Sequence, residues 1–276
     1  MSIISLLSDF GHSDPYVAEM KAVILSINPQ ARIVDITHSI EKFCIHMGTY
    51  VLASVVSYFP PNTIHVAVVD PGVGTKRRPI IAETNRSIYV GPDNGLLMLA
   101  AHKEKIKNVY QIDNPKYMLS TVSKTFHGRD IFAPAAAYLS RGTTPSDFGP
   151  AIQDYVFPEF AKPSTKRGEL VGEVIHIDDF GNILSNISAE VLELNGVHEG
   201  DSLHVTLGRK KLNISFYSAY GEVPVGTILA LIGSSNFLEV AVNQGIASNI
   251  LEVDVGDLFC VSVVDSSQQN PTFWCQ

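Results

Sequence analysis

The chain has 276 residues, with 28 acidic against 20 basic side chains, a net charge of -8 and 45% apolar residues. Its length suits one large or two medium domains, and its apolar share can fill a core. The acidity speaks against a general nucleic-acid binder, which would present a basic face to phosphates.

No apolar run approaches the roughly eighteen residues of a membrane-spanning helix, so none is expected. Cys44, Cys260 and Cys275 are widely spaced and form no CxxC pair. That pattern points to reduced thiols in a cytoplasmic setting and to no zinc site. The N-terminus meets Asp9 early and lacks the basic region of a signal peptide.

In chain order, Ile3 to Leu7 is a short apolar strand with Asp9 at its end. Asp14-Pro15 supplies an N-cap and a first-turn proline for a helix through about Asn28. Arg32 to Thr37 is a strand, and His46 to Phe59 a helix stopped by Pro60-Pro61. Strands follow at Ile64 to Asp70, Pro79 to Glu83 and Ser87 to Gly91, then a turn at Pro92-Asp93-Asn94-Gly95 and a helix from Leu96 to Lys103. An alanine-rich helix, Asp130 to Ser140, completes an α/β domain over residues 1–155.

Residues 156–168 carry prolines and charges without a sustained period and read as a linker. Residues 169–276 change character, with short strands separated by turns. These strands are Leu170 to Ile177, Ile183 to Ile187, Ser202 to Leu207, Leu212 to Phe216, Thr227 to Leu231, Leu238 to Val242 and Leu258 to Val264. That spacing suggests a smaller antiparallel barrel or sandwich.

Two segments offer chemistry. Asp70-Pro71-Gly72-Val73-Gly74-Thr75-Lys76-Arg77 follows a β-branched strand, so an acid and a glycine-rich turn stand where open α/β sheets place ligands. Thr125-Phe126-His127-Gly128-Arg129 sets an imidazole before a helix. Acid, base and guanidinium together can activate a small nucleophile such as water. The bland alternatives are a structural histidine at 127 and solvated surface charges at Arg77 and Arg78. Asp9 reads either as a ribose acceptor or as a cap on the next helix, and Asp14 as a cap or a ligand. The Asp70 turn lacks a P-loop ending, and its acid would repel phosphate.

In the second half, Asp178-Asp179-Phe180-Gly181-Asn182 is either a polar hairpin turn or a purine site, with a ring to stack and an amide to pair. Gly233-Ser234-Ser235-Asn236 is either a turn or an anion nest.

Six segments together, Ser8-Asp9-Phe10-Gly11, Val69 to Thr75, Tyr89 to Gly95, Phe126-His127-Gly128-Arg129, Phe180-Gly181-Asn182 and Gly233-Ser234-Ser235, closely resemble the S-adenosyl-L-methionine (SAM) hydrolases, or SAM hydroxide adenosyltransferases. These share a superfamily with the SAM-dependent fluorinase and chlorinase. The resemblance implies a Rossmann-like α/β domain followed by a β-barrel. It also implies a homotrimer with SAM between the large domain of one subunit and the small domain of its neighbour.

The resemblance further implies catalytic roles for Asp70, Arg77 and His127. Substrate contacts are implied at Asp9, Asp14, Phe43, Asp178, Asp179, Phe180, Asn182, Ser234, Ser235 and Asn243. The expected reaction is hydrolysis of SAM to adenosine and L-methionine, without metal or cofactor. His127 and Asp70 would orient and deprotonate water, and Arg77 would stabilise hydroxide. Gly128 stands where the fluorinase has a halide-binding serine, which favours water, and Ser235 stands where it has an arginine for the methionine carboxylate. The alternatives are a halide-dependent SAM lyase and a non-catalytic adenosine or SAM binder.

Overall fold

The computed structural model describes residues 2–158, 163–166 and 168–264. Cys275 and parts of the expected linker, residues 159–162 and 167, lie outside the described residues. The chain divides into two compact units, Met1–Glu159 and Phe160–Gln276.

The first unit contains β1 (Ile3–Ser8), α1 (Tyr16–Ile27), β2 (Arg32–Thr37), α2 (Ile45–Val55), β3 (Ile64–Val68), β4 (Pro79–Thr84), β5 (Ile88–Pro92), α3 (Met98–Lys103), β6 (Ile106–Gln111), α4 (Ala133–Ser140) and β7 (Ala151–Ile152). Seven strands form one sheet in the order β2-β1-β3-β5-β4-β6-β7. The first four run parallel, and β4, β6 and β7 join antiparallel. The expectation of a Rossmann-like domain therefore meets a mixed sheet that is parallel on one side only.

Both faces of the sheet are covered, which is why every residue of β3 is buried and all but His65 are apolar. On β1, Ile4 and Leu6 pack with Met20 and Ile24 of α1 and Ala136 of α4. The opposite face presents Leu7, which clusters with Leu52 of α2 and Leu97 and Met98 beside α3. Alternation along one strand thus feeds two helical layers.

The helix boundaries differ from expectation at two places that matter. α1 begins at Tyr16, with Pro15 in the capping position and no side-chain cap, so Asp14 does not cap it. The expected helix from Asp130 is instead a π-helical turn, Gly128–Phe132, leading into α4, with His127 at its start. Such wide turns spread the backbone locally and recur at functional sites. Strand β6 was not anticipated. Its sequence, IKNVYQ, buries only Val109, so its apolar alternation is weak.

The second unit contains β8 (Ser164–Lys166), β9 (Glu169–Ile177), β10 (Ile183–Ser188), α5 (Ala189–Leu194), β11 (Ser202–Leu207), β12 (Lys210–Ser215), β13 (Ile228–Ile232), β14 (Phe237–Val242), α6 (Ala247–Leu251) and β15 (Leu258–Val263). The order β12-β11-β15-β9-β10-β14-β13 is antiparallel throughout. A single bridge, Phe216 to Ala230, brings the two ends together, so the sheet is nearly a closed barrel. Its interior is apolar, with Val174, Leu203, Val205, Leu238, Val240 and Phe259 fully or almost fully buried. β8 falls inside the stretch read as linker and pairs with β9 at the sheet margin.

Candidate active site

Two pockets are described, one in each unit. The first, about 340 Å³, opens at the C-terminal ends of β1 and β3 and is walled by Asp9, Asp70, Phe126 and His127 among others. β2 lies on one side of β1 and β3 on the other. This is the topological switch point, where loops leave adjacent strands in opposite directions and open a crevice.

Asp70, two residues beyond β3, is almost fully buried, and so is Arg77 at the far end of the same glycine-rich turn. Arg77 Nε donates to Asp70 Oδ1 at 3.1 Å, and Nη2 donates to Oδ2. This two-point fork is the geometry a guanidinium offers a carboxylate. The same Nη2 lies 2.9 Å from His127 Nδ1. Arginine cannot give up its proton here, so Nδ1 must accept, and the neutral ring carries its hydrogen on Nε2. Burial holds His127 below the ordinary imidazole range and the Arg77 charge pushes the same way, against Asp70, Asp130 and the Ser123 carbonyl. The guanidinium also sits 5.4 Å from the centre of the Phe132 ring, which the π turn provides. Its Nη1 is buried with no hydrogen-bond partner among the described residues.

The two segments are held against each other by glycine. Gly74 has φ +74°, and a Cβ there would run into the Lys124 carbonyl oxygen, well inside contact distance. The Lys124 loop is anchored in turn by Asp130, whose buried carboxylate accepts from Ser123 N at 2.8 Å and from Arg129 Nε at 2.6 Å. Arg129 extends to Glu19 at 2.7 Å and lies over the Phe126 ring. Arg78, read by default as a surface charge, instead bridges Asp93 at 2.6 Å and Asp154 at 2.8 Å.

On the opposite wall, Asp9 is buried and its Oδ2 accepts from Phe43 N at 2.9 Å. Lys42 Nζ donates to the Asp9 backbone carbonyl. Phe43 adopts φ +66° and is 68% exposed. A left-handed phenylalanine with an exposed ring costs roughly 1–3 kcal/mol, a strain usually retained for a purpose. Asp14 and Tyr16 also line this pocket, Asp14 from an exposed position. Phe126 meets Phe10 and Tyr16 edge to face at 5.5 and 5.1 Å between centroids, and Phe10 lies tilted against Tyr16 at 5.8 Å.

The second pocket, about 710 Å³, is walled by the turn from Asp178 to Asn182, by Tyr220 and Ser234, and by Asn243. Asp178 accepts from Phe180 N and Asn182 N with one oxygen, and from Asn182 Nδ2 with the other, all at 2.9 Å. Its carboxylate is therefore committed to the turn, while Asp179 and the Phe180 ring are exposed. Gly181 has φ +81°, and a Cβ there would collide with Ile246. Asn243 is nearly buried and donates from Nδ2 to the Val223 carbonyl at 2.7 Å, so its amide serves the fold. Ser235 is not among the residues lining this pocket, whereas Ser234 is.

Lys42, Tyr220 and Glu239 escaped the sequence reading. Glu239 had a signal, since it is the single acid in the otherwise apolar run Phe237–Val242. Tyr220, in a polar loop, had none. Among the described residues no group of three or more metal-ligating side chains occurs, and no helix is long and apolar enough to cross a membrane.

The α/β unit carries an acid–guanidinium–imidazole chain at its switch point, and the barrel unit carries a turn-built pocket of its own. Residues 4–149 match the SAM hydroxide adenosyltransferase N-terminal domain and residues 172–260 its C-terminal domain. The chain belongs to the SAM hydroxide adenosyltransferase family. It is 37% identical over 267 residues to the (R)-S-adenosyl-L-methionine hydrolase of Methanocaldococcus jannaschii, covering 93% of this chain and 94% of that protein. A fluorinase from an Actinoplanes species is 27% identical, over 87% of this chain and 91% of its own. A solved structure of an uncharacterized conserved protein from Thermotoga maritima superposes with a TM-score of 0.86 at 38% identity, covering 94% of this chain and 99% of that one.

Proposed function

We propose that the protein hydrolyses S-adenosyl-L-methionine to adenosine and L-methionine, with water attacking C5′ of the adenosyl group. The observation that carries this reading is the buried Asp70–Arg77–His127 chain, whose two ends, Asp70 and His127, line the switch-point pocket. The sulfonium is an activated leaving group, because methionine departs as a neutral thioether and needs no general acid. The reaction lacks only an aligned nucleophile.

The contact of Arg77 with His127 Nδ1 refines the roles. For Nδ1 to act as the base its bond from Arg77 must open: a water that takes the place of Arg77 there donates to Nδ1 and accepts from the displaced guanidinium, and the lowered basicity of His127 favours the neutral ring. As the O–C5′ bond forms, the C5′–S pair passes to sulfur and the water proton passes to Nδ1. The guanidinium edge released from Nδ1 stabilises the developing hydroxide, and Asp70 balances the guanidinium charge. General-base help of this kind is worth about 10²–10⁴-fold.

Asp9 lines the pocket and its carboxylate would accept a ribose hydroxyl, with Phe43 offering an adenine-stacking face beside it. In the second unit, Phe180 and Asn182 read the base, and Asp179 rather than Asp178 faces the ligand. Asp14 and Ser234 suit the polar ends of methionine. The curated relatives are named for the (R) form of the sulfonium, and we extend that epimer preference to this chain. The halide alternative is disfavoured at Gly128, where a Cβ would press on Phe126 and Met20 at 3.1 and 3.2 Å.

Each pocket holds only part of this recognition, which supports a homotrimer whose sites join pockets of neighbouring subunits. Mixing His127→Ala with Asn182→Ala protein should then restore part of the activity after subunit exchange, and a fully active monomer in light scattering would exclude it. The free thiols at Cys44 and Cys260 suit the cytoplasm. Chromatography of products from each SAM epimer, with and without chloride, tests the reaction itself. Adenosine and methionine are expected, and 5′-chloro-5′-deoxyadenosine as main product would transfer the chain to the halogenating branch.

A further inference from the structure

Glu239 sits at the centre of β14, between Leu184 of β10 and Leu231 of β13, and is 3% exposed. Alternation along β14 sends Leu238, Val240 and Val242 to the barrel interior, so Glu239 lies on the outer face with Ala241. A carboxyl in that place is costly unless bonded. Its Oε1 accepts from the Tyr220 hydroxyl. Its Oε2 lies tight against Gly233, where any Cβ would collide with it. The carboxyl is therefore roofed over and does not itself line the pocket, whereas Tyr220 does.

Tyr220 belongs to the loop joining β12 to β13, and that loop is fastened at three points. Tyr217 N donates to the Ala230 carbonyl at 2.9 Å at one end. At the other, Asn243 holds the Val223 carbonyl through its amide, and Gly226 N donates to the Asn243 carbonyl at 2.8 Å. Between these backbone ties, the Tyr220–Glu239 bond is a side-chain fastening of the loop's middle onto the sheet. Burial raises the Glu239 carboxyl above its ordinary range, the Tyr220 bond opposes this, and nearby Asp178 adds to the rise. An acid kept in so unfavourable a setting suggests a role beyond packing.

We infer that Glu239 is a positioning residue, which sets Tyr220 as a wall of the second-unit pocket and thereby tunes affinity for the adenosine portion of the substrate. This rests on the proposal that the pocket receives that portion. The carboxyl acts through the tyrosine and touches no reacting atom, so its effect falls on binding and spares the chemical step.

The test uses full-length protein and four variants: Tyr220→Phe, Glu239→Gln, Glu239→Leu, and Tyr220→Phe with Glu239→Leu. Adenosine affinity is measured by calorimetry, and KM and kcat are measured with SAM. Tyr220→Phe and Glu239→Leu should each raise the adenosine Kd and the SAM KM about tenfold, while kcat changes less than twofold. Glu239→Gln keeps a carbonyl that can accept from Tyr220, so it should stay within threefold of wild type. The double variant should be no worse than Tyr220→Phe, the non-additivity expected of residues acting as a pair.

Should Glu239→Leu fail to fold, Tyr220→Phe and the rescue expected of Glu239→Gln still decide the matter, since both keep the volume of the native side chain. Wild-type adenosine affinity in Tyr220→Phe would overturn the inference. So would a fall confined to kcat, or strict additivity in the cycle. If wild-type protein does not turn over SAM but Tyr220→Phe still weakens adenosine binding, the hydrolase reading fails and the positioning role stands.

Discussion

The two pockets are built on opposite principles. In the first unit, buried charges do the shaping: Asp70, Arg77 and His127 form one chain of hydrogen bonds beneath the cleft, and the wiring continues through Asp130 and Arg129 to Glu19. In the second, side chains hold backbone turns, with Asp178 closing its own loop and Asn243 fastening another. A field of fixed charges discriminates between ground and transition states. A turn-built wall with exposed Phe180 discriminates between ligands. Turnover should therefore be governed by Asp70, Arg77 and His127 of the first unit, while the turns of the second unit act on affinity alone, a division that mutation can break.

The largest expected effect is on turnover. His127→Ala and Asp70→Asn should each lower kcat by about 10²–10⁴-fold while the adenosine Kd moves less than threefold. Asp70→Asn should also lower the melting temperature, since it leaves a buried guanidinium without its counter-charge, a loss of roughly 3–5 kcal/mol when such a pair is broken. A comparable change in adenosine affinity would erase the division.

The glycine pair sharpens it. Gly74→Ala forces the Asp70 turn off the Lys124 carbonyl, and Gly181→Ala forces the Asp178 turn off Ile246. The first should reduce kcat by more than tenfold and the second should mainly raise KM, both readable from steady-state kinetics. Equal effects on both constants would mean the units do not specialise.

Stability offers a subtler contrast. His65 is fully buried in the first unit, bonded through Nδ1 to Ser5 Oγ at 2.7 Å and stacked on Tyr89, and burial pushes its pKa down to about 4. The unfolded chain takes up this proton near pH 6.5 and the folded one does not. The folded state thus keeps its full stability above pH 6.5 and loses roughly 3 kcal/mol as pH falls to 4. Melting temperature against pH should fall over that window and flatten in His65→Gln. An unchanged slope in the variant would assign the loss to other groups.

The smallest effect concerns the pH profile of the reaction. Neutral His127 is the form that accepts the water proton, so kcat/KM should fall on acidification, with a midpoint below 6.5 because burial and Arg77 disfavour the imidazolium. A midpoint above 6.5 would mean that Asp70 dominates the ring's environment.

The sequence was most readable where one residue carries both a fold signal and a chemical one. Asp70 ends an apolar strand, so its position at the sheet's edge followed from the run Ile64 to Val69. His127 was legible through its glycine neighbour, but the π turn behind it was not, because Asp130 to Ser140 has ordinary helical composition. Asp14 followed the helix-capping pattern yet does not cap, since Pro15 occupies that place. Strand β6 and the short helices α5 and α6 were missed because their apolar spacing is too brief to show a period. The tie between Arg77 and His127 joins residues fifty positions apart, a pairing no local pattern encodes. Glu239 was visible as a lone acid in an apolar strand, but only the loop above it revealed its partner.

The central claim is that water attacks C5′. Running the reaction in ¹⁸O-labelled water and analysing the adenosine by mass spectrometry tests it most directly. The account predicts one labelled oxygen, located on the 5′-hydroxyl, with unlabelled methionine released in equal amount. Unlabelled adenosine, or a 5′-halogenated nucleoside formed in its place when chloride is present, would contradict it.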